Sequence, residues 1–179
     1  RNRVRVTQGF GPIDSCEFQL LSKDPSLVFF GRLDKEKQAL RFVNCIPQIS
    51  EKLRQGGMRD FTYVISGRGA DEHLIAAAVR SLQEKGERVA FTESQRPADI
   101  LSTGAVYFSL QRHSNYPSRS LAEAMMSGCY PVLTEVGTSP KMVTGLDWSG
   151  WVPRDFDADE LADSILGYQT LCEQRGDTI

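Results

Sequence analysis

The sequence predicts an α/β fold, a Rossmann-like doubly wound parallel sheet of about six strands with helices on both faces. Three observations carry this expectation. Short continuous apolar runs recur at 27–30 (LVFF), 61–65 (FTYVI) and 105–110 (AVYFSL), the pattern of strands buried on both faces. Between them lie longer stretches with apolar residues at helical spacing. The two kinds of segment alternate along the chain, as they do in right-handed βαβ units.

Taken in order, residues 1–18 hold a short alternating segment, RVRVT, and a loop with Gly9, Gly11 and Pro12. Residues 1–26 are expected to be a linker or strap. The first sheet strand, 27–30, is bounded by Asp24-Pro25 and Gly31. Apolar residues Ala39, Phe42, Val43, Ile46, Ile49 and Leu53 then predict a helix that Pro47 should kink or split. After Gly56-Gly57 the strand 61–65 is closed by Ser66-Gly-Arg-Gly69. Asp71 is expected to cap a helix with core face Leu74, Ile75, Ala78, Val79 and Leu82, ended by Gly86. Residues 88–92 form a third strand, 97–101 a short helix and 105–110 a fourth strand. Residues 130–134 are a fifth strand, 140–143 a helical turn and 150–152 a short sixth strand. Asp157 should cap a last helix with Leu161, Ile165 and Leu166 inward.

The 179 residues suit one sizeable domain, expected to occupy 27–179, and 40% hydrophobic content is ordinary for a packed core. A net charge of −2 and a pI near 5.8, with no basic stripe, point away from nucleic acid or an anionic membrane as main partner. Cys16, Cys45, Cys129 and Cys172 are far apart, which supports neither a zinc site nor a redox motif and fits a reducing, cytoplasmic setting. No stretch of eighteen apolar residues and no signal peptide is present. The chain opens at Arg1 without methionine and is expected to be a fragment of a longer protein.

In sheets of this kind ligands bind beyond the carboxyl ends of the strands. That directs attention to loops 31–37, 66–71, 92–96, 111–120 and 134–140. The stretch 110–136, LQRHSNYPSRSLAEAMMSGCYPVLTEV, reads as strand end, loop, helix and next strand. Free backbone N–H groups after Pro117 would receive an anion, with Ser114, Ser118 and Ser120 hydroxyls beside them. One turn on, Glu123 sits among Ala122, Ala124, Met125 and Met126, within reach of a second part of the same ligand. A nucleoside diphosphate has that shape: phosphate on the helix start, ribose hydroxyls on the acid. The alternative is an amphipathic helix with a serine cap and one solvated glutamate. Neither a P-loop nor a Gly-x-Gly-x-x-Gly fingerprint occurs, and Asp157 with Asp159 reads as helix-start acid rather than a metal motif.

These pieces, in this order, resemble the carboxy-terminal donor-binding domain of retaining glycosyltransferase family 4, one half of a GT-B enzyme. The resemblance runs over 27–171 and rests on Gly31-Arg32-Leu33 with Lys37, on Gly67-Arg68-Gly69, and on Asn115-x7-Glu123-Ala124-Met125 followed by Gly128 and Pro131-Val132. Val136-Gly137-Thr138 and a looser echo around 150–159 complete it. Three positions depart from the family pattern: Asn115 replaces its first acid, Ser118 a glycine and Lys141 a later acid. The segment NYPSRSLAEAM is similar to a subgroup of bacterial surface-polysaccharide transferases carrying Asn-Tyr-Pro-Ser here.

The resemblance implies a nucleotide diphosphate sugar as donor substrate, no cofactor and no metal. It implies an acceptor domain on the missing amino-terminal side, and any contact with the cytoplasmic face of the inner membrane would be made there. Arg32 and Lys37 would grip the diphosphate, against the alternatives of an ion pair with Asp34 or Glu36 and of a solvated lysine at the helix start. Glu123 would bind the ribose and Asn115 the donor sugar or phosphate, unless Asn115 only supports the turn before Pro117. The amides of Ser118, Arg119 and Ser120 would take the terminal phosphate. Gly31, Gly67 and Gly69 would let backbone approach the donor, the latter two equally readable as turn glycines. Phe91, Thr92 and Arg96 would lie near the base, and Arg68, Arg112, His113 and Tyr116 near the mouth. Other readings of the same architecture are a sugar-nucleotide epimerase and a non-catalytic nucleotide-sugar-binding module.

Overall fold

A computed structural model describes residues 25–93 and 96–174; the segment RVRVT and the expected linker up to residue 24 lie outside them. Six parallel strands, β1 (Ser26–Phe30), β2 (Thr62–Ser66), β3 (Val89–Thr92), β4 (Gly104–Ser109), β5 (Tyr130–Thr134) and β6 (Gly150–Val152), form one sheet in the order β3-β2-β1-β4-β5-β6. The expected Rossmann-like sheet is present, and each strand starts within a residue or two of the apolar run that announced it. Continuous runs give strands buried on both faces, and β4 and β5 are buried at every residue.

Helices α1 (Ala39–Gln55), α2 (Glu72–Glu84) and α5 (Ala158–Gln174) cover one face, and α3 (Pro97–Leu101), α4 (Arg119–Met126) and a 3-10 turn (Ser139–Met142) the other. On the first face Phe42 of α1 packs against Phe29 and Phe108, with ring centroids 5.7 and 4.5 Å away. Tyr63 stands edge-on to it, its hydroxyl bonded to Ser50 at 3.1 Å.

Three local expectations need correction. Pro47 does not split α1, which runs unbroken through it. Pro47 itself is exposed, on the side of α1 away from the core. Leu74 is 45% exposed while its neighbour Ile75 is fully buried: the buried stripe of α2 is Ile75, Val79 and Leu82, and Leu74, about 100° round the helix from Ile75, falls outside it. Asp71 occupies the N-cap of α2 without a side-chain cap bond.

The start of α5 agrees with expectation. Asp157 Oδ1 accepts from the Glu160 amide at 2.9 Å while Glu160 Oε2 accepts from the Asp157 amide at 2.8 Å, a reciprocal capping box. Asp157→Ala should therefore cost about 1 kcal/mol of stability, measured by urea unfolding with an unchanged slope. An unchanged midpoint would show that the box contributes nothing.

Candidate functional site

Strand order reverses between β1 and β4, and the crevice beyond their carboxyl ends is where a doubly wound sheet takes its ligand. The loop after β1 carries Gly31, Arg32 and Lys37; the loop after β4 and the first turns of α4 carry Asn115, Ser118, Arg119, Ser120 and Glu123. The fold thus brings these two groups to the same crevice. Gly67 and Gly69 follow β2 beside them, while Thr92 ends β3 at the sheet edge, two strands away from β1.

The loops are fastened to one another. Leu33 N–H donates to Arg68 O and Asp71 N–H to Leu33 O, both at 2.9 Å, and Gly31 N–H donates to Ser66 O at 3.0 Å. A Cβ on Gly67 would lie 1.8 Å from Gly31 O, and one on Gly69 2.2 Å from Leu33 O. The turn is pressed so closely on the β1 loop that this contact alone demands glycine. Across the crevice, Arg112 N–H donates to Glu36 O at 2.9 Å, and His113 bonds the Glu36 carboxylate and holds its pKa below the ordinary range. On the far side Ser114 Oγ meets Thr138 Oγ1 at 2.9 Å, and the Asn115 amide donates to Ser139 Oγ at 3.4 Å.

Lys37 sits one residue before the left-handed Gln38 that precedes α1, so it belongs to the loop and not to the helix's first turn. Its amide donates to Asp34 Oδ1 at 2.9 Å and its Nζ to Gln111 Oε1 at 3.1 Å. The side chain is half-buried, and burial, followed by the nearby Arg32 charge, pulls its pKa below that of an ordinary lysine, Asp34 opposing. Among the described residues no carboxylate lies within ion-pair distance of Lys37; Asp34 is paired instead with Arg32 at 3.2 Å. The Arg32 side chain is 71% exposed. The crevice therefore presents two neighbouring cations, of which Arg32 has a carboxylate partner and Lys37 a neutral amide.

Opposite them, Ser118 Oγ caps α4 by accepting from the Leu121 amide at 3.4 Å and lies 3.4 Å from Ser120 Oγ. Glu123 is no solvated glutamate: it is 3% exposed, and Oε1 accepts from Arg119 Nε at 2.8 Å. Asn115 and Tyr116 are exposed. Arg68 is paired with Glu93 at 2.8 Å, joining the loops after β2 and β3, and Lys141 is exposed on the 3-10 turn.

Gln111 and Thr134 carry no role in the sequence reading, yet they tie the crevice together. The Gln111 amide donates to Thr134 Oγ1 at 2.8 Å, Thr134 Oγ1 donates to Gln111 O at 2.9 Å, and Gln111 Nε2 donates to Ser109 Oγ at 2.9 Å. The signal was a polar cluster, Ser109, Gln111 and Thr134, at the ends of otherwise apolar strands. Among the described residues no group of three or more His, Cys, Asp or Glu is placed to hold a metal ion, and no helix is long and apolar enough to cross a membrane.

Solved structures share this fold. The catalytic domain of cholesterol-α-glucosyltransferase from Helicobacter pylori is similar over 84% of this chain and 90% of its own, with TM-score 0.61 and 21% identity. S. aureus TarM, solved with UDP, is similar over 92% of this chain with TM-score 0.65 and 16% identity. WaaG, a glycosyltransferase involved in lipopolysaccharide biosynthesis, is similar over 87% with TM-score 0.66 and 14% identity. This chain spans 35% of the TarM chain and 40% of the WaaG chain. No curated protein sequence matches it. The pattern of the family described as glycosyl transferases group 1 matches residues 24–169, most of the chain, and the protein belongs to that family.

Proposed function

We propose that this chain is the donor-binding domain of a retaining, family 4 glycosyltransferase that moves a sugar from a nucleoside diphosphate sugar to a saccharide or lipid-linked acceptor in surface polysaccharide synthesis. The observation that carries the reading is Lys37, a half-buried ammonium at the switch-point crevice whose bonded partner is a neutral amide, with Arg32 beside it and the start of α4 opposite. A diphosphate supplies the negative charge that the Lys37 ammonium lacks. Support for the ligand class comes from TarM, solved with UDP, and for the setting from WaaG.

In the proposed reaction the bond between the anomeric carbon and the diphosphate oxygen breaks, and its electron pair stays on that oxygen. Arg32, Lys37 and the amides of Ser118, Arg119 and Ser120 stabilise the charge as it develops, already oriented before reaction. The acceptor hydroxyl bonds to the anomeric carbon on the face the diphosphate leaves and gives its proton to the departing phosphate. Glu123 binds the ribose once Arg119 Nε yields its place to the ligand, and Asn115 contacts the donor sugar. Gly31 lets the backbone approach the donor, as do Gly67 and Gly69 from the neighbouring turn, and Thr92 lies toward the base. The proposed reaction uses neither metal nor cofactor. The acceptor binds an amino-terminal domain, so this chain alone binds donor and transfers almost nothing; any membrane contact, and a place in the cytoplasm, belong to the larger protein.

Calorimetric titration with UDP, GDP, ADP and inorganic diphosphate tests the site. One nucleotide should bind at roughly −5 to −7 kcal/mol, a Kd of about 10–200 µM. Glu123→Ala should weaken that nucleotide about tenfold and leave inorganic diphosphate, which has no ribose, unchanged. Equal losses for both ligands would remove the ribose role. No binding by any nucleotide would overturn the donor site.

A further inference from the structure

We infer that Gln111 is the positioning residue for Lys37: its side-chain oxygen holds the ammonium at the diphosphate subsite and, being uncharged, leaves the lysine's charge for the ligand. The inference rests on the donor-site reading above and adds the group that makes Lys37 effective.

The geometry leaves Gln111 little choice. An ammonium only donates, so the Gln111 atom 3.1 Å from Nζ must be the amide oxygen. That orientation sends Nε2 to Ser109 Oγ at 2.9 Å. The Gln111 backbone is fixed independently by exchange of bonds with Thr134 Oγ1 at 2.8 and 2.9 Å. Gln111 is 4% exposed, Ser109 6% and Thr134 1%, so the support behind the amide is dry and cannot swing into water. It stands on the ends of β4 and β5, the rigid elements across the crevice from Lys37.

The chemistry of the amide is as important as its place. The charged groups acting on Lys37 are Arg32 and Asp34, both in its own loop and paired with each other at 3.2 Å. Glu36, one residue away, is turned to His113. Gln111, with Ser109 and Thr134 behind it, adds no charge. A carboxylate at position 111 would pair with the ammonium and compete with an incoming diphosphate. An apolar residue there would leave the half-buried cation without its acceptor.

The two substitutions therefore act in opposite directions on the lysine's proton, and that is the test. Lys37 pKa is followed by NMR in the ligand-free chain, and affinity for UDP, GDP and ADP is measured between pH 7 and 10, in wild type, Gln111→Glu, Gln111→Leu and Lys37→Ala, with thermal melting to establish folding. Gln111→Glu, nearly isosteric, should raise the Lys37 pKa by about one unit and Gln111→Leu should lower it. Both should bind the preferred nucleotide roughly tenfold more weakly near pH 7.5. The alkaline loss of binding should move to higher pH in Gln111→Glu and to lower pH in Gln111→Leu. If Lys37→Ala loses affinity while both Gln111 variants keep the wild-type Lys37 pKa and alkaline limb, Gln111 is mere packing and the inference falls while the donor site stands. If Lys37→Ala binds as well as wild type, the donor site itself is wrong and the inference goes with it.

Discussion

Lys37→Ala is expected to weaken nucleoside diphosphate binding by roughly 10- to 150-fold, the loss corresponding to about 1.5–3 kcal/mol for one charge-assisted hydrogen bond. The upper part of that range is favoured by the site. Lys37 is half-buried, and its ammonium is spared an ion pair because Asp34 is engaged by Arg32. Its charge is therefore little screened and wholly available. Arg32, 71% exposed and already paired, should lose only a few-fold on replacement by alanine. The loss at Lys37 should be the same for inorganic diphosphate as for the nucleotide, since the contact is to phosphate; the ratio of the two affinities then separates it from the ribose contact of Glu123. Calorimetry that gave Lys37→Ala wild-type affinity would place the diphosphate elsewhere.

The pH dependence follows from the same residue. Binding needs the ammonium, and burial with Arg32 lowers its pKa below the ordinary 10.5. Affinity should thus be complete at neutral pH and fade as pH rises through that lowered value, sooner than for a solvated lysine. Lys37→Ala should flatten the alkaline limb. An unaltered limb in the variant would assign the titration to another group.

What the sequence made legible, and what it hid, divides along one physical line. Strands buried on both faces write themselves as apolar runs, so 61–65 and 130–134 mark β2 and β5 almost to the residue. Helical faces are read less finely, since periodicity alone does not choose between neighbours such as Leu74 and Ile75. Loop residues have no period at all. Lys37 could be singled out because it follows Gly31-Arg32 at a set distance along the chain, whereas its partner Gln111 is 74 residues away and its bond exists only because β1 and β4 are neighbours in the sheet. The burial of Glu123 was equally unreadable: it depends on which face of α4 meets the sheet and on Arg119 lying over it. For Gly67 and Gly69 the need for a missing side chain was legible, but the object pressing against them was not.

That object makes the second large effect. Gly67→Ala should lower stability by roughly 2–5 kcal/mol, combining backbone strain at φ +142° with overpacking against a carbonyl oxygen 1.8 Å from the new Cβ. In a domain of this size that is a fall in Tm of about 5–15 °C. The obstacle is backbone, Gly31 O and C, which has no alternative rotamer, so relief requires the β1 loop to move. Gly31, Arg32 and Lys37 travel with it, and the variant should therefore also lose nucleotide affinity, at temperatures where it is fully folded. Gly69→Ala, facing Leu33 O at 2.2 Å, should behave in the same way. Gly86→Ala separates strain from collision: its φ is +86° but its Cβ would meet open space, so it should cost only about 1–2 kcal/mol and leave binding untouched. Melting curves and titrations of the three variants decide the matter. If Gly67→Ala were as stable as Gly86→Ala, the two loops would not be locked, and the preorganisation assigned to the Lys37 crevice would have to come from the Gln111 side alone.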